Sequence, residues 1–365
     1  MFNVVVHTPD VVGDRMAGPG IRAWHLSREL ARHFATTLIA KCEGIAPEDV
    51  PVIEHNTDAA RAAMRDATVL VGQPARGFRK RRPGQRMVFD LFDPTVLELR
   101  ELYGNEPSLR QRVHLAAEWW RLSEALMRGD LLMCAARRQR DFYEKLQSGS
   151  ASWIEVPFGI DPADSRVCPK PQDNIVVWGG GVWEWLDPAT AVEAILRVNE
   201  EGIRARLLFL GRARPNQNIV VDRRRESRFD QLLLRGGPLV SANDEWVPYR
   251  ERLSWLRSGK IAIMLHRRTA EAEYSIRTRL FDAIATGTPV IATAGGFAAR
   301  LVEQEGLGIV VSPGDVDGVA TAIRRLLTDD DFHSACVQSL ERIRPRFAWD
   351  VVTRPLVEAV RGMQT

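Results

Sequence analysis

Short apolar runs alternate with amphipathic stretches along nearly the whole chain. The runs at 2–7, 36–40, 68–72, 87–91 and 131–135 are five or six residues long, rich in Val, Ile and Leu, and bounded by polar residues or glycine. Runs of that length without internal alternation predict strands covered on both faces, as in a parallel sheet. Between them, apolar positions recur at helical spacing over 21–33, 57–66, 109–128 and 136–146. The alternation then pauses over VPFGIDPADSRVCPKPQDN, where proline and glycine accumulate, and resumes. Strands are predicted at 175–178, 205–211, 240, 261–265, 289–292 and 308–311. Helices are predicted at 188–200, 223–235, 251–258, 276–286, 297–304 and 316–327, with a last one over 347–360 kinked at Pro355. Strand and helix in alternation predict an α/β chain of two Rossmann-like, doubly wound domains, 1–160 and 161–345, followed by a C-terminal helix at 346–365.

A chain of 365 residues with 45% hydrophobic and 27% charged residues suits two globular domains. No apolar run approaches a membrane span, and FNVVVHT begins a strand where a leader would be basic and apolar, so a cytoplasmic protein is expected. Cys42, Cys134, Cys168 and Cys336 lie far apart, without metal-ligand or redox spacing. A net charge of +3 is too small to indicate a nucleic-acid partner. The basic run RKRR at 79–82 fits either a solvated loop or a polyanionic or membrane-bound acceptor, and peripheral membrane contact through the N-terminal domain stays open. Trp119 and Trp120 read as core or cleft wall. The chain is expected as a monomer or homodimer.

The chemistry concentrates in LHRRTAEAEYSIRTRLFDAIATGTPVIATAGG, 265–296. Ser275 stands where an N-cap belongs, so the amides of Ile276, Arg277 and Thr278 would point out of a helix start. That arrangement attracts an anion, and Arg277 and Arg279 add full charges. Asp282, a little over a turn further along, could accept from the vicinal hydroxyls of a ribose. An ion-paired solvated helix face is the competing reading. A second loop, VWGGGVWEWLDPATAV, offers Gly180 and Gly181 for close approach of a phosphate or sugar. There Asp187 would cap a helix beginning at Pro188, and Trp183 and Trp185 present either stacking faces or packing. In the first domain MAGPGIR carries Gly18 and Gly20 after the first strand, without the third glycine of a dinucleotide fingerprint. Asp90 and Asp93 close a strand in FDLFDP, where Asp93 either caps a turn or works in the site. His7 is a candidate to line the cleft.

The pattern ExxxSxRTRxxDxxxxGxPVIAT, together with GPGIRAWHLSREL, CAARRQRDFY, PFGID, WGGGVWEWLDP and WVPYRER, resembles GT-B glycosyltransferases of the large retaining family that uses nucleotide-diphosphate sugars. The resemblance implies two domains facing a cleft, a last helix crossing back to the first, and closure during catalysis. It implies a hexose or deoxyhexose moved to an unknown acceptor with retention of configuration, with no cofactor beyond the sugar nucleotide and no bound metal. The family's first acid falls to Glu271 or Glu273, because its usual spacing from Asp282 lands on Tyr274; with Asp93 these are the catalytic candidates. Val247 would lie against the base, and Gly18 and Gly20 near the sugar or distal phosphate. Arginines 277 and 279 would replace the family's lysine at the diphosphate. A sugar-nucleotide epimerase and a non-catalytic nucleotide-sugar-binding protein of the same fold are the alternatives.

Overall fold

A computed structural model describes residues 2–44, 49–80, 82–161, 174–211 and 223–364, without the side chains of 223–226. Arg81, Cys168 and most of the expected inter-domain segment lie outside them. Contacts cluster the chain into two compact units. One comprises Met1–Gly159, Tyr274–Ile276 and Phe347–Thr365, and the other Ile160–Glu273 and Arg277–Arg346.

The first unit runs β1 (Asn3–Gly13), α1 (Gly18–Ala31), β2 (Ala35–Glu43), β3 (Val52–Glu54), α2 (Asp58–Asp66), β4 (Val69–Gly72), β5 (Arg86–Asp90), α3 (Thr95–Tyr103), α4 (Leu109–Arg128), β6 (Leu131–Cys134), α5 (Arg137–Glu144) and β7 (Ser152–Glu155). Its seven strands are parallel in the order β3-β2-β1-β4-β5-β6-β7, so the winding reverses between β1 and β4. One face carries a core around Val5, Ile39, Leu70, Phe89 and Leu132, closed by Leu122, Ala125 and Leu126 of α4. Ser108 and Gln111 form a reciprocal capping box that sets where α4 begins.

In the second unit the order is β8 (Ile175–Trp178), α6 (Pro188–Glu200), β9 (Arg206–Phe209), α7 (Arg223–Gly236), β10 (Val240–Ala242), α8 (Arg252–Arg257), β11 (Ile261–Met264), α9 (Ala270–Tyr274), α10 (Thr278–Thr286), β12 (Val290–Thr293), α11 (Gly296–Glu305), β13 (Gly308–Val311), α12 (Val316–Thr328) and α13 (Asp330–Ile343). Its six strands are parallel in the order β10-β9-β8-β11-β12-β13, reversing between β8 and β11. Strands β11 and β12 are buried at every position, as their unbroken apolar runs require. Asp187 caps α6 by accepting from the Thr190 amide, with Pro188 at the helix start.

Three expectations are corrected. Gly18 and Gly20 sit inside the first turn of α1, not in a loop, because β1 continues to Gly13 and takes up the chain before them. The stretch after β11 is not all loop but holds α9, and α10 begins at Thr278 with Arg277, not Ser275, as its N-cap. The last helix is broken rather than kinked: a 3₁₀ turn (Arg344–Phe347), α14 (Trp349–Val352) and α15 (Arg354–Gly362) follow one another, with Pro355 in the first turn of α15. Proline has no N–H to continue an existing helix but fits a first turn. Trp119 packs on the first-unit core, whereas Trp120 lies outside it, 64% exposed, and lines a surface groove.

Candidate nucleotide-sugar site

In doubly wound sheets a ligand has room where the winding reverses, beyond the carboxyl ends of the strands. In the second unit that place lies beyond β8 and β11, and two loops meet there. The chain leaves β8 through Gly179–Gly181, with Gly180 at φ +76°. The Gly181 carbonyl oxygen accepts from both Arg279 Nη2 at 3.0 Å and Trp178 Nε1 at 3.3 Å. A Cβ on Gly181 would come to 3.0 Å from the Trp246 ring, so the loop lies close against Trp246 and a side chain there would push the ring aside. The same loop region is tied to the end of β11: the Asp187 amide donates to Leu265 O at 3.0 Å and the Arg267 amide to Trp185 O at 2.9 Å.

Arg277 and Glu271 form a forked pair, with Nη1–Oε1 at 2.6 Å and Nη2–Oε2 at 2.7 Å, and both side chains are buried. Glu271 therefore spends both oxygens on Arg277. Arg279 is placed differently. Its guanidinium sits 5.4 Å from the Trp178 ring and binds the glycine loop, while its Nη1 is buried with no hydrogen-bond partner among the described residues. Burial first, and the neighbouring Arg277 second, lower its pKa to about 9. No side chain caps the start of α10. A buried guanidinium with an unmatched donor, beside uncapped helix amides and a second guanidinium, is arranged to receive an anion.

Asp282, one turn into α10, accepts from Arg252 Nε at 3.3 Å, and Arg252 in turn lies 3.8 Å from the Tyr249 ring centroid. Burial raises the Asp282 pKa, with Arg252 and then Arg279 opposing that rise. Val247 is buried and Trp246 half-buried. Trp183 and Trp185 stack in parallel with centroids 5.5 Å apart, but Trp185 belongs to the core of the unit, so only Trp183 retains an outer face. Glu273, in the last turn of α9, lies beside the glycines at the start of α11: a Cβ on Gly295 would lie 3.7 Å from Glu273 Oε2, and one on Gly296 2.4 Å from Ala272 O. Ser275 and Ile276 are buried, and both cluster with the first unit. Thr278 is the first residue of α10.

The second unit holds Gly180, Gly181, Trp183, Val247, Glu271, Glu273, Arg277, Thr278, Arg279 and Asp282. Sequence reasoning passed over Trp246 and Arg252. They are the first and last residues of WVPYRER, where an aromatic followed by arginines marks the spot without saying what they touch.

The first unit holds Gly18, Gly20 and Asp93. A Cβ on Gly20 would stand 2.1 Å from Val11 O, so glycine lets α1 pack directly on β1. Arg22 on the same helix forks onto Asp90 at 2.7 and 3.1 Å, fully buried, and also donates to Pro157 O. Asp93 lies next to that pair and accepts from Gln73 at 3.3 Å. Its pKa is raised to about 8, by burial first and then by Asp10 and Asp90. The helix that follows, α3, has Pro94 as its N-cap and no side-chain cap. His7 pairs with His55 at 3.1 Å and stacks on Phe78, and burial lowers its pKa to about 3, which makes it a neutral core histidine. Among the described residues no cluster of three metal-ligating side chains occurs, and no helix is long and apolar enough to cross a membrane.

Residues 173–329 match the family model described as Glycosyl transferases group 1. A stretch of 85 residues is 36% identical to a D-inositol 3-phosphate glycosyltransferase from Corynebacterium urealyticum, covering 23% of this chain and 20% of that protein. The match thus spans about a fifth of that relative's length. Among solved structures, the sucrose-phosphate synthase from Thermosynechococcus elongatus superposes with a TM-score of 0.71 at 16% identity, covering 100% of this chain and 99% of the other. WaaG, a glycosyltransferase involved in lipopolysaccharide biosynthesis, superposes with a TM-score of 0.71 at 17% identity, covering 98% and 100%. Anabaena HepE, solved in complex with UDP-glucose, gives 0.71 at 13% identity over 99% and 100%. At these identities the likeness establishes the fold, which is GT-B.

Proposed function

We propose, from a group 1 glycosyl transferase segment set in a GT-B fold, that this chain transfers a hexose or deoxyhexose from a nucleotide-diphosphate sugar to an acceptor, with retention of configuration. The observation that carries the reading is Arg279, whose buried Nη1 has no partner among the described residues beside the Gly179–Gly181 loop. A diphosphate oxygen supplies what that nitrogen lacks, and a guanidinium binds such oxygens strongly. HepE bound to UDP-glucose, on the same fold, supports a nucleotide-sugar donor.

In this reading the diphosphate lies on Arg279, the amides of Gly180 and Gly181, and the first turn of α10. Charge that develops on the departing diphosphate meets fixed positive groups, so no metal is required to stabilise it. Asp282 accepts from the ribose, oriented by Arg252, while Val247 and Trp246 flank the base. Glu273 hydrogen-bonds the sugar, with Trp183 beside it. Glu271 positions Arg277 and leaves the sugar to Glu273. Asp93 in the first unit serves the acceptor: a carboxyl with a pKa near 8 carries a proton at neutral pH and can donate or accept one hydrogen bond. We assign no enzyme nucleophile; attack on the same face as the departing group accounts for retention.

The experiment is incubation with UDP-, GDP- and dTDP-sugars and a mixed acceptor extract, scoring free nucleoside diphosphate and labelled product together. Diphosphate released in step with glycoside supports transfer. Interconverted sugar nucleotide without release would make it an epimerase, and binding without turnover a non-catalytic receptor.

A further inference from the structure

Helix α4 shows two faces. Inward, Leu122, Ala125 and Leu126 enter the first-unit core. Outward, Leu109, Val113, Trp120 and Met127 are 78%, 63%, 64% and 51% exposed. With the exposed Ala116 and Ser123 they form a continuous line spaced 4-3-4-3-4. That is the 3.5-residue repeat of a two-helix seam, not the broader arc a globular surface tolerates or a lipid interface selects.

The repeat also specifies what covers it. Reading 109, 116 and 123 as d positions and 113, 120 and 127 as a positions, an antiparallel copy brings every a opposite a d: 109 to 127, 113 to 123, and 116 to 120. The flanking e positions are Arg110, Ala117 and Glu124. In the antiparallel pair these meet as Arg110 to Glu124, Ala117 to Ala117, and Glu124 to Arg110. Opposite charges face one another twice, and the smallest side chain lies on the two-fold axis. Such a patch is self-complementary, as a two-fold interface requires. Glu124, which pairs with Arg128 at 3.0 Å within the chain, can accept from the second copy with its other oxygen. A carboxylate bordering the seam also disfavours an anionic membrane there, although Arg76, Arg79 and Arg121 line a groove of about 480 Å³ alongside.

We propose that the outer face of α4 joins two copies of this chain in an antiparallel, two-fold dimer. Its test is sedimentation of the full-length parent and variants. The parent is expected to sediment as a dimer at roughly 50 μM. Trp120→Glu should give monomer. Arg110→Glu and Glu124→Arg should each weaken dimerisation by about tenfold, and the double swap should restore it, since opposite charges again meet. The restoring double swap also rules out misfolding as the cause of the single losses. A monomeric parent would overturn the proposal, as would a dimer indifferent to all of these changes. A parent that stays monomeric but floats with phosphatidylglycerol vesicles in a Trp120-dependent way would overturn it too, and would give the face to lipid.

Discussion

Arg277 and Glu271 hold each other by two parallel hydrogen bonds in a place closed to water. A buried ion pair of this kind shapes the loop before α10, and breaking it leaves a charge with nothing to balance it. Glu271→Gln should therefore destabilise the second unit by about 3 kcal/mol. Glu273→Gln should leave the melting temperature nearly unchanged and abolish transfer. Melting curves and turnover on both variants separate the roles; equal thermal losses would return the sugar-binding acid to the undecided state of the sequence.

Arg279 is held at some cost, since burial and Arg277 both disfavour its charge. Its folded pKa near 9 lies below the unfolded value, so at neutral pH its charge counts against the folded state. Arg279→Ala should leave the unliganded protein at least as stable as the parent and weaken nucleoside diphosphate binding by about 1.5–3 kcal/mol. Calorimetry with UDP, GDP and dTDP checks this, and unchanged affinity would remove Arg279 from the phosphate.

Asp282→Asn keeps shape and turns one acceptor into a donor. Affinity for the best ribonucleotide should fall more than affinity for its 2′-deoxy form. Equal losses would make Asp282 a structural partner of Arg252 only.

The raised pKa of Asp93 has a definite sign in stability. Between about pH 4 and 8 the folded carboxyl keeps a proton that the unfolded chain has lost, so this group's contribution falls as pH rises through that window. Asp93→Asn should therefore gain in melting temperature relative to the parent as pH increases from 4 to 8. A difference that is flat with pH would contradict the raised value.

Gly20→Ala should lower thermal stability by about 1–3 kcal/mol, because its Cβ would stand 2.1 Å from Val11 O. The sequence suggests instead that this glycine makes way for a ligand, in which case stability would be spared and transfer lost. Thermal melts of the variant decide between them.

Much of this was readable from residues. β8, β11 and β12 are short and apolar, with Gly179 after β8 and Pro289 before β12, and Gly287 ends α10 at φ +69° as a stop signal should. β3 and β7 were missed because edge strands of three or four residues carry little pattern. Ser275 is what a local rule selects to cap a helix. Yet Tyr274–Ile276 cluster with the first unit, where Tyr274 stacks on Phe142 at 4.6 Å, and the helix starts only at Thr278. The Glu271–Arg277 fork was equally hidden, since spacing along a chain says nothing about which charges are withdrawn from water.

The first unit is completed from far away in the chain. Trp349 lies where a Cβ on Gly159 would stand, 2.3 Å from its ring, stacks on His25 at 4.7 Å and meets Phe158 edge-on at 5.1 Å. During synthesis, then, the ribosome finishes β7 long before it delivers the residue that seals α1 against that corner. The early half must wait with an apolar notch open while the whole second half is made, and a chaperone that shields exposed apolar surface would find its target there.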